Sequence, residues 1–230
     1  QMTDIIVYSL HATYDGVEHT GPIREYSIKT YCYNTLTKYK DDKYAEIRTV
    51  LVDMLHYGAL SQLYTNYKTD ALVDADLTSE QLAWASTGEL NLANIKDGSY
   101  ETVTNPPVSW TGIGLRLNDS VTIRYKLSAS DYEGLTFKIR TATKSWELTS
   151  ADLTDATGGK YLYFNGLNAD EMSTAVYITA YKDGVVVSNT VQYSIESYAY
   201  SKQNDASTPY LAELVKAMMR YGNAAYAYTH

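Results

Sequence analysis

The residues best suited to chemistry in this chain are aromatic. Tyrosine fills 24 positions, with 3 Trp and 2 Phe, against a single Cys and 4 His. A flat ring offers an apolar face to the C–H side of a sugar, while nearby Asn, Asp, Gln or Lys side chains meet its hydroxyls. Trp146 has that company in Lys144-Ser-Trp-Glu-Leu148, where Lys144 and Glu147 flank it just after an expected hairpin turn. It is either an exposed stacking ring or a strand residue turned inward with Leu148. Tyr161 and Tyr163 share one strand face, and Tyr177 and Tyr181 another. A wet face would make an aromatic platform and a dry one would be core, with core the preferred reading. Trp84 follows a short capped helix and is expected at the boundary between two halves of the chain, whereas Trp110 alternates with Val108 as core does.

Other chemistries find little support. No His-x-x-x-His spacing or Cys cluster suggests zinc, no Gly-x-Ser-x-Gly elbow or phosphate-cradling loop occurs, and Asp74-Ala-Asp76 lacks the third acid and the glycine of a calcium loop. Two carboxylates could make a glycosidase, but none of the 27 acidic residues is marked out as a pair. The sequence therefore predicts no catalytic residue, no metal and no cofactor. His56 reads as a solvated helix residue. Cys32 excludes an internal disulfide and reads as a small buried filler. A net charge of −8 without clustered Lys and Arg argues against nucleic acid as a partner. No apolar run is long enough to span a membrane, and no signal peptide is present, so the sequence is expected to be either an excised segment or a cytosolic chain.

The elements that must position these residues appear twice. Tyr26-Ser-Ile-Lys-Thr-Tyr-Cys-Tyr33 is repeated as Tyr193-Ser-Ile-Glu-Ser-Tyr-Ala-Tyr200 at an offset of 167, and Ile47 to Gly58 is repeated as Leu211 to Gly222 at an offset of 164. Each pair predicts a helical hairpin, over 27–66 and 194–228, and the two are expected to superpose as near-identical units. Ile47, Val50, Leu51, Met54, Leu55 and Gly58 follow one-sided helical spacing, as do Leu211, Leu214, Val215, Met218, Met219 and Gly222. A glycine on the stripe in both copies predicts a closely passing backbone. Tyr57, Tyr64, Tyr221 and Tyr228 recur beside the stripe as structural rings.

Before the first hairpin, residues 4–13 and 20–27 read as strands joined through an Asp15-Gly16 turn, and Asp183-Gly184 does the same in the second copy. Two strands alone are marginal in water, so the first pair is expected to extend the later sheet or to pack on the helices. Thr78-Ser-Glu-Gln81 is a capping box. From 90 to 192 the text alternates as strands do, as in Val121, Ile123, Tyr125 and Leu127. Turn signals at Asp97-Gly98, Asn105-Pro-Pro107, Glu133-Gly134, Gly158-Gly159, Asn165-Gly166 and Asp183-Gly184 divide it into seven or eight strands. The expectation is an α+β fold, an antiparallel β-sandwich with two duplicated helical hairpins. Residues 1–83 would be the C-terminal part of one unit and 84–230 a full second unit, its sandwich over 90–192 and its hairpin over 193–230.

Several phrases also resemble a module of cell-surface and secreted proteins of Gram-positive gut bacteria. They are Tyr67-Lys-Thr-Asp-Ala-Leu72, Asp76-Leu-Thr78, Trp110-Thr-Gly-Ile-Gly-Leu115, Val121-Thr-Ile-Arg-Tyr125, Tyr193-Ser-Ile-Glu-Ser-Tyr198 and Lys216-Ala-Met-Met-Arg-Tyr-Gly222. The resemblance covers nearly the whole chain; Trp84 and Trp146 depart from it. Such modules sit in non-catalytic regions of polysaccharide-handling proteins, including starch-adherence proteins. The resemblance implies an extracellular or cell-surface carbohydrate-binding module for α-glucan, with Trp146, Lys144, Glu147, Trp84, Tyr161 and Tyr163 as candidate contacts. Its partners would be a polysaccharide or oligosaccharide and the other modules of its parent protein. The competing expectation is a structural spacer or protein-interaction module.

Overall fold

The computed structural model describes residues 2–95, 101–117 and 120–230. Among them it is a mixed fold of antiparallel sheets and five α-helices. Four short strands come first: β1 (Ile6–Tyr8), β2 (His11–Tyr14), β3 (Val17–Thr20) and β4 (Arg24–Tyr26). β2 and β3 turn on Asp15-Gly16, both at positive φ (48° and 75°), and β1 pairs with β4. Helices α1 (Ile28–Lys38) and α2 (Ala45–Thr65) follow, and α2 stops at Asn66 in the left-handed conformation that asparagine tolerates. The short α3 (Ser79–Leu82) opens on the expected capping box, in which the Gln81 amide donates to Thr78 and the Thr78 amide to the Gln81 side chain.

The β-rich region holds β5 (Val108–Leu117), β6 (Val121–Ala129), β7 (Leu135–Arg140), β8 (Ser145–Thr149), β9 (Thr154–Ala156), β10 (Gly159–Phe164), β11 (Val176–Lys182), β12 (Val185–Val186) and β13 (Val191–Tyr193). One sheet runs β5-β6-β10-β9. The other runs β12-β11-β7-β8, with β13 also on β11. The alternation in the sequence becomes burial. Ile123, Tyr125 and Leu127 of the first sheet and Phe137, Ile139, Val176 and Ile178 of the second are buried in one hydrophobic cluster. That cluster continues into α4 (Ile195–Lys202) and α5 (Leu211–Thr229) through Ile195, Leu214, Val215 and Met218. Trp110 belongs to it as expected, edge-on to Tyr125, with its indole N–H on the Asn189 carbonyl. The Asp97-Gly98 turn lies outside the described residues.

The repeated phrases are built alike where they begin. Ser27 and Ser194 cap α1 and α4 with nearly the same backbone angles (φ −144°, ψ 166° and φ −145°, ψ 164°), each accepting from the amide three residues on. The next turn repeats too, because the amides of Lys29 and Glu196 donate to the carbonyls of Met2 and Met172, at 3.1 Å in both cases. Strand register matches as well. Ile6, Val7 and Tyr8 face Tyr26, Glu25 and Arg24, as Val176, Tyr177 and Ile178 face Tyr193, Gln192 and Val191.

Three expectations need correction. The hairpins differ in length, 11 and 21 residues against 8 and 19. α4 ends early because Asp205 accepts from Lys202 and from the Ser207 amide, a local turn that competes with helix continuation. Second, α2 is not one-sided: Arg48, Val50, Leu51, Val52, Asp53, Leu55, Ala59 and Gln62 are all buried, since it packs on α5 along one side and on residues 72–86 along the other. Third, among the described residues the N-terminal strands pair with no strand outside their own four. β1 to β4 form two separate two-stranded ladders, every residue in them is exposed, and Ile6 and Tyr14 keep 68% and 73% of their surface.

The stripe glycines divide. A Cβ on Gly222 would lie 3.1 Å from the Ala169 carbonyl and 2.9 Å from the Met172 sulfur, so backbone does approach there, whereas Gly58 is closed off by the side chains of Met2 and Val73. Gly222→Ala is expected to destabilise the protein by about 1–2 kcal/mol, overpacking outweighing the gain in helix propensity. An unchanged or raised melting temperature would contradict this.

Candidate functional site

The aromatic residues singled out in the sequence do not converge. Trp146 lies opposite Ile139 in the β7–β8 ladder, half-buried, its ring edge-on to Phe164 at 4.8 Å and close over Gly166. It faces inward with Leu148, so it is not an exposed stacking ring; the strand alternation that buries Leu148 carries Trp146 to the same side. Lys144 is turned to Glu171, 2.6 Å away, and Glu147 stands on the outer face across from Lys138. Trp84 is half-buried against the α2 cluster, with the Arg48 guanidinium 4.6 Å over its ring and its carbonyl accepting from Thr49.

Tyr161 and Tyr163 overturn the core expectation. In β10 the inward positions are Leu162 and Phe164, so the two tyrosines fall on the outer face, half-exposed, 6.0 Å apart. Arg124 and Arg116 sit over their rings at 4.8 and 5.6 Å. The other sheet repeats the device, with Arg140 on Tyr177 at 4.4 Å and Lys138 on Tyr181 at 4.8 Å. Cations occupy these faces through cation–π attraction. Among the helix rings, Tyr57 and Tyr221 stack at 6.1 Å across the α2–α5 contact, where burial pushes the Tyr57 phenol up to about 12. Tyr228 is exposed.

A different constellation lies at the edge of β13. A groove of about 460 Å³ is lined by Asn94, Ile113, Gln192, Tyr193, Ser197, Tyr200 and Ser201. The local sequence explains the assembly. Ser194 caps α4 immediately after β13, so Gln192 and Tyr193 are presented next to the first turn of a helix; Ser197, Tyr200 and Ser201, at i, i+3 and i+4, share the helix face that looks onto them. Glu196, buried on that helix, accepts the Ala93 amide at 2.8 Å and so holds Asn94 at the rim. Ile113 of β5 supplies an apolar wall. The lining contains amides, hydroxyls and tyrosine rings but no carboxylate or cation, and burial raises the Tyr193 phenol. Gln192 is only 9% exposed, and its Oε1 has no hydrogen-bond partner among the described residues. A buried, unmatched acceptor is costly. Sequence inspection missed the groove; the one local signal was a polar Gln192 in a short strand directly before a helix cap.

A second cleft, of about 440 Å³, lies between α2, α5 and residues 86–90, lined by Glu46, Glu89, Arg220 and Asn223 among others. It is charged and carries no ring. Among the described residues no group of three or more His, Cys, Asp or Glu is placed to hold a metal ion, and no helix is long and apolar enough to cross a membrane. Cys32 is fully buried, which pushes its thiol up to about 12. His56 is exposed on its helix as expected, and it also meets the Asp74 carboxylate at 2.9 Å. The chain matches no family model, no curated protein and no solved structure.

Two consequences can be measured. The Asp74 hydrogen bond raises the His56 pKa above its ordinary 6.5, so the pair stabilises the fold fully below that value and the contribution is lost as pH climbs through the raised folded-state value. The melting-temperature gap between the protein and His56→Gln should therefore be larger at pH 5.5 than at pH 8.5; a gap independent of pH would refute the pairing. Trp146→Ala, removing a half-buried core ring, is expected to cost about 3 kcal/mol in a denaturant titration, and a loss under about 1 kcal/mol would return Trp146 to the surface.

Proposed function

We propose that this chain is a non-catalytic carbohydrate-binding module whose site is the groove between β13 and α4. The observation that carries it is the lining itself, because the amide, hydroxyl and ring groups gathered there are those that meet the hydroxyls and C–H faces of a neutral polyol. Gln192 lines the groove with a side-chain amide, and Tyr200, 44% exposed, is the ring a sugar face can reach. The cation-covered tyrosines of the outer sheet faces are a poorer platform, since one side of each ring is already used. The choice of α-glucan, of a Gram-positive surface location and of a multimodular parent protein comes from the resemblance of the Tyr67, Trp110, Val121, Tyr193 and Lys216 phrases. On the same footing we read the fold as a β-sandwich with two related helical hairpins, residues 1–83 belonging to one unit and 84–230 to another. The matched caps, carbonyl contacts and strand registers support that division.

Native affinity gels with a panel of soluble polysaccharides test the proposal. Binding should be modest, with Kd roughly micromolar to millimolar, or about −8 to −4 kcal/mol. Tyr200→Ala should weaken it about thirtyfold, as loss of a central aromatic anchor does, while leaving the melting temperature within a degree or two, because the ring is largely outside the core. No reducing sugar should be released. If the protein ignored every polysaccharide offered, the alternative of a spacer or protein-interaction module would stand in its place; the exposed N-terminal strands favour that second reading.

A further inference from the structure

The four N-terminal strands and their connections carry an apolar surface that nothing among the described residues covers. Ile6, Val7, Tyr8, Leu10, Val17, Ile23 and Tyr26 keep between 41% and 74% of their surface exposed. So many large apolar residues exposed within one short segment mark an interface, and an isolated two-stranded ladder is marginal in water. The chain itself contains a template for what belongs there. β1 and β4 pair in the register of β11 and β13, the β2–β3 hairpin turns on Asp15-Gly16 as β11–β12 turns on Asp183-Gly184, and Met2 receives the α1 amide as Met172 receives that of α4. At the matching positions the burial is opposite. Val176, Ile178 and Ala180 are fully buried, whereas Ile6 is 68% exposed, Tyr8 is 52% exposed and Ala12 is exposed too; Ile195 is 3% exposed and its counterpart Ile28 49%.

Two partners make that difference in the second copy. β7 pairs with the free edge of β11, Ile139 standing opposite Ile178 and Phe137 opposite Ala180, and the β5-β6-β10-β9 sheet shares its core with the inner face. Among the described residues the corresponding edge of β1 and β2 has no strand. We infer that the N-terminal strands are the docking surface for an antiparallel β-sheet partner of the same kind as residues 84–171 of this chain, supplying a β7-like edge strand of alternating apolar residues and an apolar inner face. The inference rests on the two-unit reading of the chain and not on its carbohydrate binding. An intact second copy cannot supply its own β7 for this, because that strand is already paired on both edges, with β8 and with β11.

The test places residues 84–171 directly ahead of residues 2–230 in one longer chain and compares it with the protein itself by hydrogen exchange. Amides of β1 and β2 should exchange on the order of a hundredfold more slowly in the longer chain, and binding of an apolar dye should fall. Ile6→Asp with Tyr8→Asp should abolish that protection in the longer chain while leaving the melting temperature of the protein itself unchanged, since both residues are exposed there. Unaltered exchange of β1 and β2 in a longer chain whose added sheet is folded would overturn the inference. So would a protein that is already a dimer and becomes a monomer on Ile6→Asp with Tyr8→Asp, which would assign the surface to a second copy. Polysaccharide binding has no part in these readouts, so failure of the carbohydrate proposal would leave them intact.

Discussion

Burial of α2 on both sides is the constraint on which the rest of the structure depends. One side meets α5, where Tyr57 stacks on Tyr221 and Leu60 and Tyr64 reach the main cluster; the other holds Leu51, Val52, Leu55 and Ala59 against Cys32, Leu36, Val73 and Leu77 in a second cluster. Between Ile47 and Tyr64 only His56 of this helix is exposed, and its buried polar side chains find partners in the loops around it. Asp53 accepts from the Ser86 amide and hydroxyl, the Gln62 side chain meets the Lys68 and Ala71 carbonyls and the Val73 amide, and Arg48 reaches the Lys40 carbonyl. Each bond fixes a loop as well as satisfying a buried group. Residues 66–86 consequently wrap α2 without regular structure of their own beyond α3.

From Ser86 the same logic carries to the second half. Arg220 of α5 donates to the Ser86 and Gly88 carbonyls, and Glu196 of α4 holds the Ala93 amide, so the stretch leading into the β-rich region is tied down by helices that come more than a hundred residues later. The β-rich part is closed by similar stitches. Val108 bonds the Val187 carbonyl, Ser188 accepts the Ala180 amide, and Asn189 takes the Val103 amide on its side chain and the Trp110 indole on its carbonyl. These contacts join β5 to β11 up to residue 190. Beyond them β13 leaves the β5 edge and the groove opens, bounded by the cap of α4.

The tyrosines show one residue type put to separate uses by its surroundings. Tyr125 is wholly buried and its phenol is raised by desolvation; Tyr57 and Tyr221 join two helices; Tyr161, Tyr163, Tyr177 and Tyr181 lie under cations on the outer sheet faces; Tyr200 stands free beside hydroxyls and an amide. A ring with a guanidinium over it keeps its apolar face dry without being core. That is why period-two alternation alone does not separate platform from interior.

The sequence by itself determined what depends on near neighbours. The Ser27 and Ser194 caps, the Thr78-Gln81 box, the Asp-Gly turns at 15–16 and 183–184, and the alternation of β6 and β7 were all legible, because each is settled by residues within four positions of one another. Cys32 as a buried residue and Trp110 as one packed on the core were legible from composition and pattern as well. Only the tertiary structure decided which side of a strand or helix faces what. Trp146 and Leu148 point inward because β8 pairs with β7 in a particular register, Tyr161 and Tyr163 outward because Leu162 and Phe164 take the core, and α2 is covered on a second side because α5 arrives from 150 residues away. The groove is the extreme case. Asn94, Ile113, Gln192 and Tyr200 share no motif and span a hundred residues of chain; a cap, a carboxylate and a strand edge bring them together, and contact at that separation follows from packing energetics that no local spacing encodes.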